Sequence, residues 1–376
     1  MRLQKFSFVL FTFFSIKLFA IDIELTNGET FFSVTEKSVE EFTFINSVSK
    51  IKTNIIKTES QEFLNLIIPS YGSNSEVGTA ELPVLQKLIR VPQGSEISIK
   101  NLNKEEILID LSDYGFNLDV FPNQASILKS SNPSDIPFYY NDDYYNIDKF
   151  TGNNFIFTEL LGNMRGQKLA RLSISPVRYN PVTNQIKVIT KAEVKVIFKN
   201  IDISSDIDNR KKYYSHEFES LFKSFVNYTP LVEKDVITTY PVKYVIISDP
   251  QFQTALQPFV EWKRKKGFLV IEEYTNNPLV GNTTNSIHAF IKDLYDNPID
   301  GITPSYLLIV GDDAQVPSFN TGQHVSDMYY CEFDGNGDFY PEMYYGRFSA
   351  TTPLQVEIQV NKTLTHEKYT FADPSF

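Results

Sequence analysis

The sequence predicts a β-sandwich followed by an α/β subdomain built on a mostly parallel sheet. Residues 21 to about 200 fall into short apolar–polar alternations divided by turn residues, the pattern of strands with one wet face. From Tyr240 the apolar spacing switches between two and 3.6, so that strands and helices take turns, as in parallel sheets with covering helices. Residues 201–240 between them are polar and charged.

Along the chain, residues 1–20 read first as a secretory signal peptide. Arg2 and Lys5 precede an apolar run from Phe6 to Ile16, and Leu18-Phe19-Ala20 ends on a small residue. The run is shorter than the ~20 apolar residues that a membrane span takes, and no later stretch is long and apolar enough. The expectation is a protein secreted or held at the cell surface, with no transmembrane segment. Abundant Asn, Ile, Lys, Phe and Tyr suggest a bacterial source. Net charge is −11, which argues against a nucleic-acid partner. Cys331 is the only cysteine, so core burial rather than an intramolecular disulfide framework must hold the fold.

In the front half, 21–200, strand patterns lie at 63–68, 97–100, 107–111, 185–189 and 192–198. Turns lie at Pro92-Gln-Gly94, Asn132-Pro133, Thr151-Gly-Asn153 and Asn180-Pro-Val-Thr-Asn184. The last sits between two strand runs and predicts a hairpin. Residues 201–240 read as a linker with one helix, on which Phe218, Leu221, Phe222 and Phe225 share a face. The linker invites proteolytic separation of the halves, after the basic run Arg210-Lys-Lys212 or between Asn227 and Tyr228.

The back half, 241–376, opens with the strand Tyr244–Ser248, after which Asp249-Pro250 signals a helix start. Gly267 stops that helix. A second strand (268–271), a second helix (287–294) and a third strand, Tyr306–Val310, follow, and Gly311-Asp312-Asp313 ends the third. Strand-like runs at 328–333 and 342–348 flank Asp334-Gly-Asn-Gly-Asp338, and Thr352-Pro353 opens a last helix.

The sharpest chemical signal is the segment 334–342. Oxygen side chains recur at every second residue, Asp334, Asn336 and Asp338, and the Tyr340 carbonyl and Glu342 extend the series. A hard cation such as calcium takes six to eight oxygens of this kind. A plain Asp-Gly hairpin turn is the competing reading. Cys331 lies among Tyr, Met and Phe with no adjacent base, which favours a small buried hydrophobe over a nucleophile. His216, His288 and His366 show no metal spacing. Arg165, in Leu161-Gly-Asn-Met-Arg-Gly-Gln167, reads as a solvated loop residue.

Several blocks, in order, resemble the gingipain-type cysteine peptidases. In the back half they are Tyr244–Ser248, Phe259-Val-Glu-Trp-Lys-Arg-Lys-Lys-Gly267, Tyr306–Asp312, Ser326-Asp327 and Tyr345-Gly-Arg-Phe-Ser349. In the front half Glu81-Leu-Pro-Val84, Val91-Pro-Gln-Gly94 and Tyr179-Asn-Pro-Val-Thr183 look like that family's propeptide, and Tyr228-Thr-Pro230 like the start of a mature enzyme. The resemblance implies a zymogen: a β-sandwich propeptide that docks on its own caspase-like domain, of which 241–376 would be the first subdomain. It implies a cysteine endopeptidase acting on proteins or peptides through a Cys thiolate and a His. Neither residue is matched in this chain, so no catalytic residue is assigned and the chain alone is expected to be inactive. The resemblance also implies a calcium loop of Asp338, Tyr340 and Glu342 together with Asp312. It makes Arg165 a candidate for the basic side chain with which such propeptides fill the substrate pocket. A noncatalytic inhibitor or folding module, or a surface adhesin on the same scaffold, is the alternative.

Overall fold

The computed structural model describes residues 21–73, 76–127, 132, 136–230, 241–322, 324–335 and 338–369. The signal-peptide expectation and Asn336 fall outside them.

Twelve strands build the front half: β1 Asp22–Glu24, β2 Phe31–Lys37, β3 Glu41–Ser47, β4 Lys50–Lys57, β5 Glu62–Ile67, β6 Gly72–Ser73, β7 Pro83–Val91, β8 Glu96–Asp110, β9 Ile156–Met164, β10 Gln167–Ile174, β11 Val177–Asn180 and β12 Gln185–Lys199. A 3-10 turn at Leu111–Tyr114 and a short α-helix, α1 (Asp142–Tyr145), lie between β8 and β9. They form antiparallel sheets in the orders β1-β4-β5, β6-β7-β10-β9 and β11-β12-β3-β2, with β8 also paired to β12. Alternation explains the layers. Along β12, Val194, Val196 and Phe198 turn inward onto Phe42, Phe44, Ile89 and Leu172, while Lys195 and Ile197 between them are half-buried on the other face. The hairpin forecast at 180–184 joins β11 to β12, with Asn180 opposite Gln185.

Residues 201–230 depart from the exposed linker with one helix. Two helices form, α2 (Ile203–Lys212) and α3 (His216–Phe222), and both pack. Phe218, Phe222, Phe225 and Tyr228 close a cluster with Met164 and Leu169 of the front half. Asp206 and Arg210, charged residues of this polar stretch, are both buried. Asp206 forms an ion pair with Arg90, itself buried in β7.

The back half holds β13 (Lys243–Ser248), α4 (Gln253–Lys265), β14 (Leu269–Tyr274), α5 (Thr284–Asp296), β15 (Tyr306–Val310), the small pair β16 (Phe319–Asn320) and β17 (Val325–Ser326), β18 (Tyr344–Phe348) and α6 (Pro353–Glu367). The sheet order is β14-β13-β15-β18, with every pair parallel. Side chains of β13 alternate between two buried faces: Ile246 meets α4 and α6, while Val245 and Ile247 meet α5. The Asp249 carboxylate accepts from Gln251 N at 3.0 Å and starts a short 3-10 turn that leads into α4. Thr352 and Gln355 form a capping box at α6.

The run 328–333 is not a strand. Met328–Tyr330 make a 3-10 turn, and Tyr330, Cys331 and Phe333 pack against α5 residues. Apolar side chains at strand spacing are consumed by core packing here, not by a ladder. The described parts of the acidic segment, 334–335 and 338–342, lie outside any strand and precede β18, so no strand pair is described on both sides of it.

Candidate functional site at the two edges of the parallel sheet

Open α/β sheets carry their chemistry at the carboxyl ends of the strands. That edge is made by Asp249, Gly311–Asp313 and Ser349. Asp312 N donates to Ala350 O at 2.9 Å, and its Oδ1 accepts from Asp313 N at 3.0 Å and from Ser349 Oγ at 3.2 Å. Arg347 fixes the edge. Its guanidinium pairs with both Asp327 oxygens at 2.7 Å and donates to Gly311 O and Val316 O at 2.8 Å. No thiolate site is built among the described residues. Cys331 is fully buried, and burial pushes its thiol well above the ordinary value. His288 Nε2 contacts Glu332 O at 2.9 Å, and His324 Nε2 contacts Tyr329 Oη at 2.9 Å.

The acidic loop lies at the opposite edge. Glu342 lies two residues before β18, whereas Asp312 lies two residues after β15, and parallel pairing sends these positions to opposite ends of the strands. Five residues of β15 span ~17 Å. Asp312 is thus not brought to the loop, which corrects the ligand set that includes it. Of the remaining residues, Asp338 Oδ1 accepts from Tyr340 N and its Oδ2 from Asn163 N, each at 3.0 Å. Glu342 is 1% exposed and neither carboxylate oxygen has a donor. Burial, then the Asp334 carboxylate within hydrogen-bond reach, then Asp338, push Glu342 up to about 10, against the pull of Arg165. Two facing carboxylates must share a proton or a cation. The Asp334–Glu342 pair therefore suits a hard cation, with Asp338 alongside. No group of three His, Cys, Asp or Glu among the described residues stands close enough to hold an ion as the side chains now lie.

Arg165 is neither a solvated loop residue nor placed at the carboxyl edge. It sits at the tip of the β9–β10 hairpin with φ 52° and is 1% exposed. Its guanidinium donates to Tyr213 O (2.9 Å), Tyr214 O (3.3 Å), Thr303 Oγ1 (2.7 Å), Pro304 O (2.6 Å) and Glu342 O (2.9 Å). The back-half acceptors all precede strands, so Arg165 binds at the amino edge, away from where a substrate pocket is expected.

The processing positions are mostly sealed. Arg210 is buried and donates to Thr229 O at 2.5 Å. The Asn227 amide bonds Arg90 N and O at 2.8 Å each, and Tyr228 Oη donates to Glu219 at 2.9 Å. Lys212, at the end of α2, is exposed. Sequence reasoning missed Thr303, Arg90 and Asp206. For Arg90 a signal existed, a charge inside the apolar run Leu88-Ile89-Arg90-Val91.

The chain is 33% identical over 361 residues to Lys-gingipain of Porphyromonas gingivalis, covering 94% of this chain and 20% of the relative. It is 27% identical over 307 residues to gingipain R2 of the same organism, covering 78% of this chain and 39% of the relative. The chain thus spans about a fifth of the Lys-gingipain it matches. Among solved structures it is similar to one reported for the zymogenic latency of gingipain K from P. gingivalis, at 32% identity and TM-score 0.46, covering 48% of this chain and 99% of that one. It is also similar to the complex of P. gingivalis RgpB pro- and mature domains, at 19% identity and TM-score 0.43, covering 53% of this chain and 98% of that one. The family described as Propeptide_C25 matches residues 29–229, and Peptidase family C25 matches residues 237–375. Carrying the propeptide and then the start of the peptidase in one chain, the protein belongs to the gingipain family, peptidase family C25.

Proposed function

We propose that this chain is the front part of a secreted cysteine endopeptidase zymogen that cleaves protein substrates. The observation that carries this is the order of the two family matches, a propeptide and then a peptidase, on a chain whose front half is seated on its back half through Arg165. A purely inhibitory module or an adhesin has no need of both. In the whole enzyme a Cys thiolate activated by a His would attack the peptide carbonyl and form an acyl-enzyme. Residues of this chain supply the first strands and the carboxyl edge organised by Arg347, while the dyad comes from elsewhere in the protein. Residues 1–20 direct export. The test is an assay of the 376-residue chain on Arg-, Lys- and mixed-sequence peptides beside a longer chain that includes a Cys/His pair. The short chain should be inactive and the longer one active. Turnover by the short chain that disappears in Cys331→Ala would overturn the assignment.

The acidic loop is proposed to hold calcium through Asp334 and Glu342, with Asp338 and the Tyr340 carbonyl beside them. The orphaned oxygens of Glu342 support this reading. A ligand at 100 times its Kd adds about 2.7 kcal/mol to the folded state, so calcium should raise the Tm and chelator should reverse it. Magnesium should do less, because it keeps its waters. Glu342→Gln should abolish the shift, while Asp312→Asn, at the other edge, should leave it intact. A calcium-independent melting curve refutes the site.

A further inference from the structure

We infer that Arg165 is the docking key of the propeptide: it grips the amino edge of the parallel sheet and keeps the front half bound to the peptidase part after the connecting chain is cut. This rests on the zymogen reading above.

The five acceptors come from three separated stretches, 213–214, 303–304 and 342, and they take up the fan of guanidinium N–H groups. Four of the five are backbone carbonyls and the fifth is the Thr303 hydroxyl, so the socket recognises the planar fork, not charge alone. A lysine ammonium cannot reproduce that geometry. The rings of Phe218 and Tyr295 each lie 5.2 Å from the guanidinium carbon and complete the walls. The hairpin tip is shaped for entry. Gly166 has φ 67°, and a Cβ there would lie 2.6 Å from the Tyr213 ring.

Neighbouring contacts fall on the same edge. Asn163 N donates to Asp338. A Cβ on Gly162 would lie 2.5 Å from an Asp338 oxygen. Ser215 Oγ meets Ser305 Oγ at 2.8 Å, Tyr306 Oη donates to Glu217 at 2.8 Å, and Phe218 stacks on Tyr344 at 4.3 Å. If the chain is opened between Pro230 and Pro241, helix α3 and the hairpin stay with the front piece. The bonds to Thr303, Pro304 and Glu342 then become intermolecular. None of them depends on the carboxyl edge, so grip and inhibition are separable.

The test uses the full chain with a site-specific protease sequence introduced between Pro230 and Pro241. After cutting, the wild-type pieces should co-migrate on gel filtration at micromolar concentration. Arg165→Ala should weaken their association by roughly 30-fold or more, as expected for one partner of a buried charged hydrogen-bond set. Arg165→Lys should also weaken it, because the fork is lost. Thr303→Val reaches the same bond from the other side and serves if the Arg165 variants fail to fold. Its effect should shrink in an Arg165→Lys background. The inference is overturned if the wild-type pieces separate at micromolar concentration, or if Arg165→Ala and Thr303→Val both leave their association unchanged. Because the readout is association, a failed zymogen assignment would show in the peptidase assay and not here.

Discussion

Replacing Glu367 by Gln removes the charge from an acceptor that three donors share at the end of α6. Glu367 Oε1 accepts from Lys263 Nζ at 2.7 Å, and Oε2 accepts from Trp262 Nε1 at 2.9 Å and Lys266 Nζ at 3.0 Å. The Lys263 side chain is 9% exposed and lies over the rings of Tyr244, Phe259 and Phe268, and this carboxylate is its ion-pair partner. Burial alone would raise the Glu367 carboxyl, but the hydrogen bonds from Lys263, Lys266 and Trp262 override it and hold it at about 2 instead of 4.5. A displacement of that size corresponds to about 3 kcal/mol if unscreened. Glu367 keeps a wet side, and screening reduces this to about 1.5 kcal/mol. Because the folded-state value is depressed, the stabilisation is complete above pH 4.5 and is lost as pH falls towards 2. Trp262 is the only tryptophan in the chain, so its fluorescence reports unfolding at this contact. In urea titrations Glu367→Gln should cost about 1.5 kcal/mol at pH 7, and the gap should close between pH 4.5 and 2. An equal gap at pH 7 and at pH 2.5, or none at pH 7, refutes the reasoning.

Two further outcomes follow from burial. Cys331 should react with a disulfide reagent only as fast as the native chain opens, since the thiol is fully enclosed and burial raises it; rapid stoichiometric labelling of the folded chain contradicts this. Asp206→Ala should cost about 3–5 kcal/mol in urea unfolding, because it strands Arg90 in a buried site with Arg210 nearby; a loss below about 1 kcal/mol would show that the pair is not closed off from water.

The elements with strong local signals were legible: Asp249-Pro250 and Thr352-Pro353 announce helix starts, and the alternation of β12 announces a face. What failed were positions whose fate is decided by distant partners. Met328–Phe333 has a strand's spacing, but α5 is there to be packed against. Asp206 belongs to a polar, charged stretch, but Arg90, 116 residues earlier, is brought to it. The turn around Arg165 was visible, but its acceptors lie up to 177 residues away. Asp312 is different, because topology alone separates it from the loop: it follows one strand of a parallel pair, whereas Glu342 precedes the other. Asp334, Asp338 and Glu342 were singled out from their alternation, and the structure adds that Asp338 and Glu342 are both buried, Asp338 with backbone donors and Glu342 without any.

The segment after α3 bears on solubility as well as packing. Strand β6 pairs with only the first two residues of β7, Pro83 and Val84. Farther along the same edge, Val226 N donates to Leu88 O at 3.1 Å, and the Asn227 amide occupies Arg90 N and O. An uncovered strand edge is a template for pairing with other chains. A front half cut off before Val226 would expose that template as it left its partner. One that keeps its tail through Asn227 carries its own protection against aggregation.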